Sequence, residues 1–346
     1  MNKCLLSFSL LLFFYACKDK DVPDVSGIKV NLQVVRFEND FFKIDTTDIQ
    51  SSIIRLRQQH GNFTNDFLAN IMGLLQVSDS SGGSEKAIRQ FIRDYMPVKK
   101  DVDKTFGNFN AIRDETVKGL QFVKHYFPRY RLPPRLITFI GPMDAYFEGS
   151  LGGYGDVITT DALATGLQLH LGSNFPLYHS KMGQALYPTY ISKRFAPEYI
   201  SVNCIKNVID DLFPDNSASR PLVEQMVEKG KRMYLLDKFM PFTNDTLKTG
   251  YTEIQLKGAF KNEGIIWNHF LTNSLVYNSE PGIIKGFIGD SPNTPEFGTG
   301  SPGYIGLFTG WQIVKKFMEK NSEMSLQQLM QTDAKKVFEE SKYRPR

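Results

Sequence analysis

Five histidines, a scatter of carboxylates and the cysteines are the side chains of this chain that could do chemistry. The histidines are His60, His125, His170, His179 and His269. None is followed by Glu and no two are four apart, so the His-Glu-x-x-His pair that binds zinc from one helix face, with the Glu as base, is missing. His170 and His179 lie nine apart around a loop and read as ordinary side chains before they read as metal ligands. Asp144, Glu148, Asp156 and Asp161 crowd one stretch. Calcium needs several oxygens converging around a sharp glycine turn, and their spacing matches no such loop. Gly149 to Gly155 is rich in glycine but lacks the Lys-Ser/Thr of a phosphate-binding loop, so it reads as a turn. There is no Gly-x-Ser-x-Gly. Asp210-Asp211 reads as a solvated helix end. No catalytic residue, metal ligand or cofactor is assigned from these patterns.

Cys17 carries the strongest chemical signal. Lys3 gives a positive start, Leu5 to Tyr15 is apolar except at Ser7 and Ser9, and Ala16-Cys17 is followed at once by Lys18-Asp19-Lys20-Asp21. A small residue before a lone cysteine, closing a short apolar run, resembles a bacterial lipoprotein leader, with Phe14 where Leu is usual. The run is shorter than the roughly 20 apolar residues that span a bilayer. Residues 1–16 are therefore expected to form a cleaved signal peptide. The mature chain would begin at Cys17, acylated there with a lipid such as palmitate and held at a membrane on the extracytoplasmic side. Residues 17–27, polar and containing Pro23 and Gly27, are expected to be a tether, and residues 28–346 one domain.

Composition bounds the rest. Losing Lys3 with the leader lowers the formal charge from +4 to +3. That balance, with no basic stripe among aromatics, excludes a nucleic-acid partner. Cys4 leaves with the leader and Cys17 would carry lipid, which leaves Cys204 with no intramolecular disulfide partner. The fold must stand on its hydrophobic core, and no paired Cys/His cluster suggests structural zinc.

Period and punctuation place the elements. Ile28 to Phe37 alternates and predicts a half-buried strand. A capped helix is expected from Thr46 through Leu56 to Gly61, and further helical stretches over Asp66–Val77, Glu85–Tyr95 and Asp103–Tyr126. Ser78 to Gly83 reads as a flexible loop. Leu136 to Ile140 is a strand, with Val157 to Thr159 as the returning strand of a hairpin. The second half predicts helices over Lys181–Arg194, Pro197–Leu212, Pro221–Phe239, Glu253–Ala259, Glu263–Leu275, Pro302–Glu319, Ser325–Met330 and Asp333–Lys342. Breaks are expected at Pro214, Pro241, Gly250, Pro281 and Pro292–Gly300. The fold class is α+β, mainly helical: a helical body with a small sheet or hairpin on one side.

The segment Ser301-Pro302-Gly303-Tyr304-Ile305-Gly306-Leu307-Phe308-Thr309-Gly310-Trp311 stands out. Ser301 is placed to cap a helix and Pro302 suits its first turn. Leu307, Trp311, Val314 and Met318 recur at helical spacing. Glycine inside a helix costs about 0.5–1 kcal/mol relative to alanine. Gly306 and Gly310 therefore point to a close approach by another element, and packing accounts for them more simply than a ligand does.

This segment resembles the C-terminal motif of the gliding motility lipoprotein B (GldB-like) family of the Bacteroidetes. Leu171-Gly172 with Phe175–Tyr178, Tyr187-Pro188-Thr189-Tyr190-Ile191, Met226 to Pro241, Gly250-Tyr251-Thr252, Asn262-Glu263 with Trp267, and the tail from Ser325 to Tyr343 extend the likeness over nearly the whole chain. One departure is Gln168, where the family pattern has Asp. The resemblance implies an envelope lipoprotein at the inner or outer membrane, working in the gliding- and secretion-associated machinery as a scaffold or binding component with a protein partner.

The family is similar in layout to a group of predicted zinc peptidases. On that correspondence the fold would be a degenerate zincin. The zinc motif would fall in the helix Tyr199–Asp211, at Val202-Asn203-Cys204-Ile205-Lys206-Asn207, where neither Asn203 nor Cys204 replaces the lost groups. A zincin-derived hydrolase with altered ligands is one alternative. A peptide- or glycan-binding lipoprotein using some of the 27 Phe and 15 Tyr is the other.

Overall fold

Four short strands make up the sheet of the computed structural model, which describes residues 22–74, 82–147, 149–151 and 154–345. They are β1 (Gln33–Arg36), β2 (Arg135–Phe139), β3 (Asp156–Ile158) and β4 (Ala162–Gly166), in the order β1-β2-β4-β3. β1 and β2 run parallel with Val34 opposite Leu136, and β2 and β4 run parallel with Leu136 opposite Leu163. β3 alone is antiparallel, with Val157 opposite Ala164 of β4. The two inner strands are buried along almost their whole length. This is why β2 reads as a near-continuous apolar run, as a strand covered on both faces does, while the sequence reading does not single out β4 as a strand.

Helices supply the rest, so the chain is α+β and mainly helical. One apolar core runs from Val25 to Tyr343. A smaller aromatic core gathers Tyr154, Tyr178, Tyr187 and Phe195 beneath the segment that follows β4. At the centre lie two parallel helices, Leu222–Phe239 and Ile305–Lys320. Met226 faces Gly306 and Gly310, Gly230 faces Gly310, and Asp237 faces Trp311, so both helices advance in the same direction.

Several elements differ from the sequence reading. Only Gln33–Arg36 of the Ile28–Phe37 run pairs as a strand. Ile28 is tied instead by its N–H to the Val25 carbonyl and by its carbonyl to the Gln121 amide, and the fully buried Phe37 opens a short helix. Val157 does not return against Leu136; β3 pairs with β4 at the far edge, because β2 needs both its neighbours for parallel ladders. The expected gap between 95 and 103 is filled by one helix, Gly83–Thr105, which carries Pro97 inside it, and the break falls at the buried Phe106 and Phe109. Helix beyond Asp66 continues only to Ile71, as a π turn, and residues 75–81, which hold most of the expected Ser78–Gly83 loop, lie outside the described residues. Lys181–Arg194 splits at Tyr187-Pro188, and Pro281 starts a helix instead of ending one.

Ser301 and Pro302 do not begin the next helix. It starts at Ile305, with Tyr304 in the left-handed region at φ 61°. The Ser301 hydroxyl is engaged within its own loop: it accepts from the Thr294 N–H at 3.0 Å and reaches the Gly298 carbonyl at 2.7 Å. Left-handed backbone costs a non-glycine residue roughly 1–2 kcal/mol. Tyr304 is held there by burial and by two long-range bonds: its hydroxyl donates to the Ser150 carbonyl, and its carbonyl accepts from the Tyr251 hydroxyl, each at 2.9 Å.

Candidate functional site

The helix Ile200–Leu212 is apolar on most of its surface, yet Asn203, Lys206 and Asp210 fall at i, i+3 and i+7. That spacing puts three polar groups on one face. The face lies against the start of β3 and the glycine-rich segment before it. The Asn203 amide donates to Asp156 Oδ2 at 2.7 Å, and the Thr165 hydroxyl donates to Oδ1 of the same carboxylate. His170 Nε2 stands 3.0 Å from Asp156, while Nδ1 faces the Ala196 carbonyl at 3.3 Å. All four side chains are buried. A carboxylate this deep survives only when its lone pairs are filled, and here three side chains fill them.

Further along the same face, Lys206 Nζ donates to the Leu151 carbonyl at 3.2 Å. Burial, and after it the Arg194 charge, pushes this ammonium down to about 7, while Asp290 and Asp210 oppose the shift. Asp210 accepts from both the N–H and the hydroxyl of Ser150. The Ser150 carbonyl accepts in turn from Lys229 Nζ at 2.6 Å and from the Tyr304 hydroxyl. Arg194 and Asp290 pair nearby, and the Tyr154 hydroxyl donates to Asp290 at 2.9 Å. The described part of the glycine-rich segment is thus fastened through Ser150 and Leu151 to two helices and to Tyr304, just ahead of a third.

The titration of Lys206 has a measurable consequence. An unfolded chain keeps that proton up to the ordinary 10.5, and the folded protein releases it near 7. Between those values the unfolded state binds more protons, so stability rises with pH. Below about 7 both states are protonated and the contribution to the slope vanishes. Urea unfolding of the wild type across pH 7–9 is expected to show a slope greater than that of Lys206→Met, by at most about 1.4 kcal/mol per pH unit, the value for one proton. Parallel profiles for the two proteins would show that Lys206 is not neutralised on folding.

The residues singled out in the sequence have diverse fates. Cys17 lies outside the described residues. Gly303 packs against the Ser291 carbonyl, and Gly306 against Ile288, Phe287 and Met226. Gly310 packs on the Met226 carbonyl. Trp311 is fully buried and donates from Nε1 to Asp237 at 2.7 Å. Pro302 is buried, and Pro302, Ser301 and Ile305 line a groove of about 350 Å³ with Gly258, Ile265 and Phe297. The four carboxylates of the calcium reading diverge: Asp156 enters the buried cluster, Asp161 pairs with Arg135, Asp144 is exposed, and Glu148 lies outside the described residues. His179 is exposed and faces the Ser173 carbonyl, away from the partners of His170. Among the described residues no group of three His, Cys, Asp or Glu side chains could hold a metal ion.

Asp210-Asp211 is a helix end solvated at Asp211, which is exposed, while Asp210 is half-buried. Asp210 anchors Ser150, and Asp211 accepts from the Tyr130 hydroxyl at 2.6 Å. Gln168, at the position of the family's acid, is buried and accepts from the Gly141 N–H at 3.0 Å. Of the stretch where a zinc motif would fall, Asn203 alone reaches Asp156. Cys204 turns into the core, where burial and then the Asp156 charge raise its thiol well above the usual range. The sequence reading did not assemble Asp156, Thr165, His170 and Asn203, which come from four places in the chain. The polar stripe at 203, 206 and 210 was the signal that could have found them.

This architecture defines a mainly helical α+β domain with a small mixed sheet, and no helix of the described residues is long and apolar enough to cross a membrane. The profile of the family described as gliding motility protein GldB matches residues 18–345, nearly the full length, and the chain belongs to that lipoprotein family. Comparison with curated proteins and with solved structures found no match.

Proposed function

We propose that the protein is a cell-envelope lipoprotein tethered through Cys17, serving the gliding-associated machinery as a scaffold or binding component. The observation that carries this reading is the extent of the family match, which begins at residue 18, directly after Cys17, and runs to residue 345. The buried polar groups support a structural role over a catalytic one. The Asp156 carboxylate is saturated by Thr165, His170 and Asn203, and Ser150 is saturated by Asp210, Lys229 and Tyr304. These groups spend their hydrogen bonds locking β3 and the glycine-rich segment onto the helices. The groove beside Pro302, with Ile265 65% exposed at its edge, offers an apolar surface for an envelope partner.

The test is fractionation. The full chain is expected in the membrane pellet, and a Cys17→Ala protein in the soluble extracytoplasmic fraction. A Cys17→Ala protein that still pelleted with membranes would end the lipid-anchor reading.

A further inference from the structure

The tether leaves the folded domain at one particular place. Val25 is fully buried, so the chain is pinned there. Val22 and Pro23 line a groove of about 290 Å³ with Tyr126, Tyr234, Pro241 and Met318. Tyr234, Pro241 and Met318 sit toward the C-terminal ends of the helices Leu222–Phe239 and Ile305–Lys320, and Tyr126 closes the helix Asn110–Tyr126. The groove beside Pro302 sits at the opposite end of the second helix, against Ile305.

Lengths turn this into an orientation. Five residue steps separate Cys17 from Val22, a reach of at most about 18 Å when fully extended. The 16-residue helix between the two grooves is about 24 Å long. A stretched tether therefore falls short of the Pro302 end, and the bilayer must meet the molecule near the tether exit.

That end carries a side chain suited to a lipid surface. Phe242 follows Pro241 in the turn after Leu222–Phe239 and is 74% exposed, with its ring centroid 6.3 Å from that of Phe122. Lys118 stands over the same Phe122 ring, 5.5 Å from its centroid, and Tyr126 and Tyr234 are half-buried alongside. An exposed phenyl ring flanked by amphipathic tyrosines is the composition that settles at a headgroup boundary. Asp24, Asp237 and Glu319 share this face with Lys118, Lys238 and Lys315, so charges of both signs are present and apolar insertion is the basis of the contact.

We propose that the face centred on Phe242 rests on the phospholipid bilayer, turning the groove at Ile265 and Pro302 away from the membrane toward a partner. This rests on the Cys17 lipid anchor. The lipidated full-length protein lends itself to the test. On the anchor reading Cys4 is lost with the leader and the Cys17 thiol is capped by lipid, and Cys204 is buried. Phe242→Cys and Ile265→Cys proteins therefore each take an environment-sensitive dye at one site. They are reconstituted into phosphatidylethanolamine–phosphatidylglycerol vesicles containing nitroxide-labelled lipid.

The expected result is a blue-shifted emission at position 242 and quenching several-fold greater than at 265. Stronger quenching at 265, or none at either site in protein that floats with the vesicles, overturns the proposed face and leaves the anchor standing. Protein that does not float removes the anchor, and the proposed face with it.

Discussion

Gly310→Ala is expected to destabilise the protein by about 3–5 kcal/mol, although alanine is the better helix former by about 0.5–1 kcal/mol. The reason is the crossing of the helices Leu222–Phe239 and Ile305–Lys320. A methyl group at Gly310 would be driven into the carbonyl of Met226, and one at Gly230 into the carbonyl of Gly310. Both obstacles are backbone within regular helices, so neither can rotate away. Relief requires the helices to separate, which opens the packing around Trp311, Met226 and Phe308, all buried. Gly306→Ala meets the Ile288 methyl at 2.7 Å and the Phe287 carbonyl at 3.0 Å and is expected to cost about 1–2 kcal/mol. Gly258, inside the helix Glu253–Lys261, has nothing within 4 Å of an added Cβ. Gly258→Ala is therefore expected to stabilise by about 0.5–1 kcal/mol. Urea unfolding of the three variants reads the opposition of sign directly. A stabilised Gly310→Ala protein would mean that the helices do not cross at this point.

Asp237→Ala is expected to cost about 3 kcal/mol or more, because it strands the buried Trp311 N–H and takes from the buried Lys248 the less exposed of its two carboxylate partners. Asp237 Oδ2 accepts from Trp311 Nε1, and Oδ1 accepts from Lys248 Nζ at 3.0 Å. Lys315 stands 3.7 Å away, with its ammonium 3.4 Å from the centre of the Trp311 ring. The Lys248 side chain is 4% exposed and keeps only the more exposed Asp245 as a charge partner after the substitution. One carboxylate thus joins both central helices to the short helix Asp245–Thr249. Removing both members, as in Asp237→Ala with Lys248→Met, is expected to cost less than the sum of the single changes, since the second substitution removes the buried charge that the first left with Asp245 alone. Additive single and double variants would show that the pair is not coupled.

The two predictions bear on the proposed orientation. The Gly310 crossing and the Asp237–Trp311 bond both fasten Leu222–Phe239 to the Ile305–Lys320 helix, which separates the tether exit from the Pro302 groove. A rigid spacer of this kind lets an anchor at one end fix the direction in which the other end faces.

Much of this was legible in the sequence because it depends on near neighbours. Helical period located most of the second-half helices, and the glycines at 306 and 310 announced a close approach, since a helix tolerates their cost only when something gains by it. The sequence also named the family, through residues distributed over nearly the whole chain. What it could not supply was the identity of each partner. Ser301 and Pro302 carried the local chemistry of a helix start, and a Ser301–Thr294 loop bond together with a left-handed Tyr304 overrode it. Val157 looked like the return of a hairpin with Leu136, yet β4 took that place beside β2. Asp156, Thr165, His170 and Asn203 gave no joint pattern, because a buried carboxylate recruits donors by proximity in space and is indifferent to their separation along the chain. Local period and backbone preference thus decided the elements. Only the tertiary structure decided which buried donor met which acceptor, since that pairing is settled by desolvation, and desolvation begins when the elements pack.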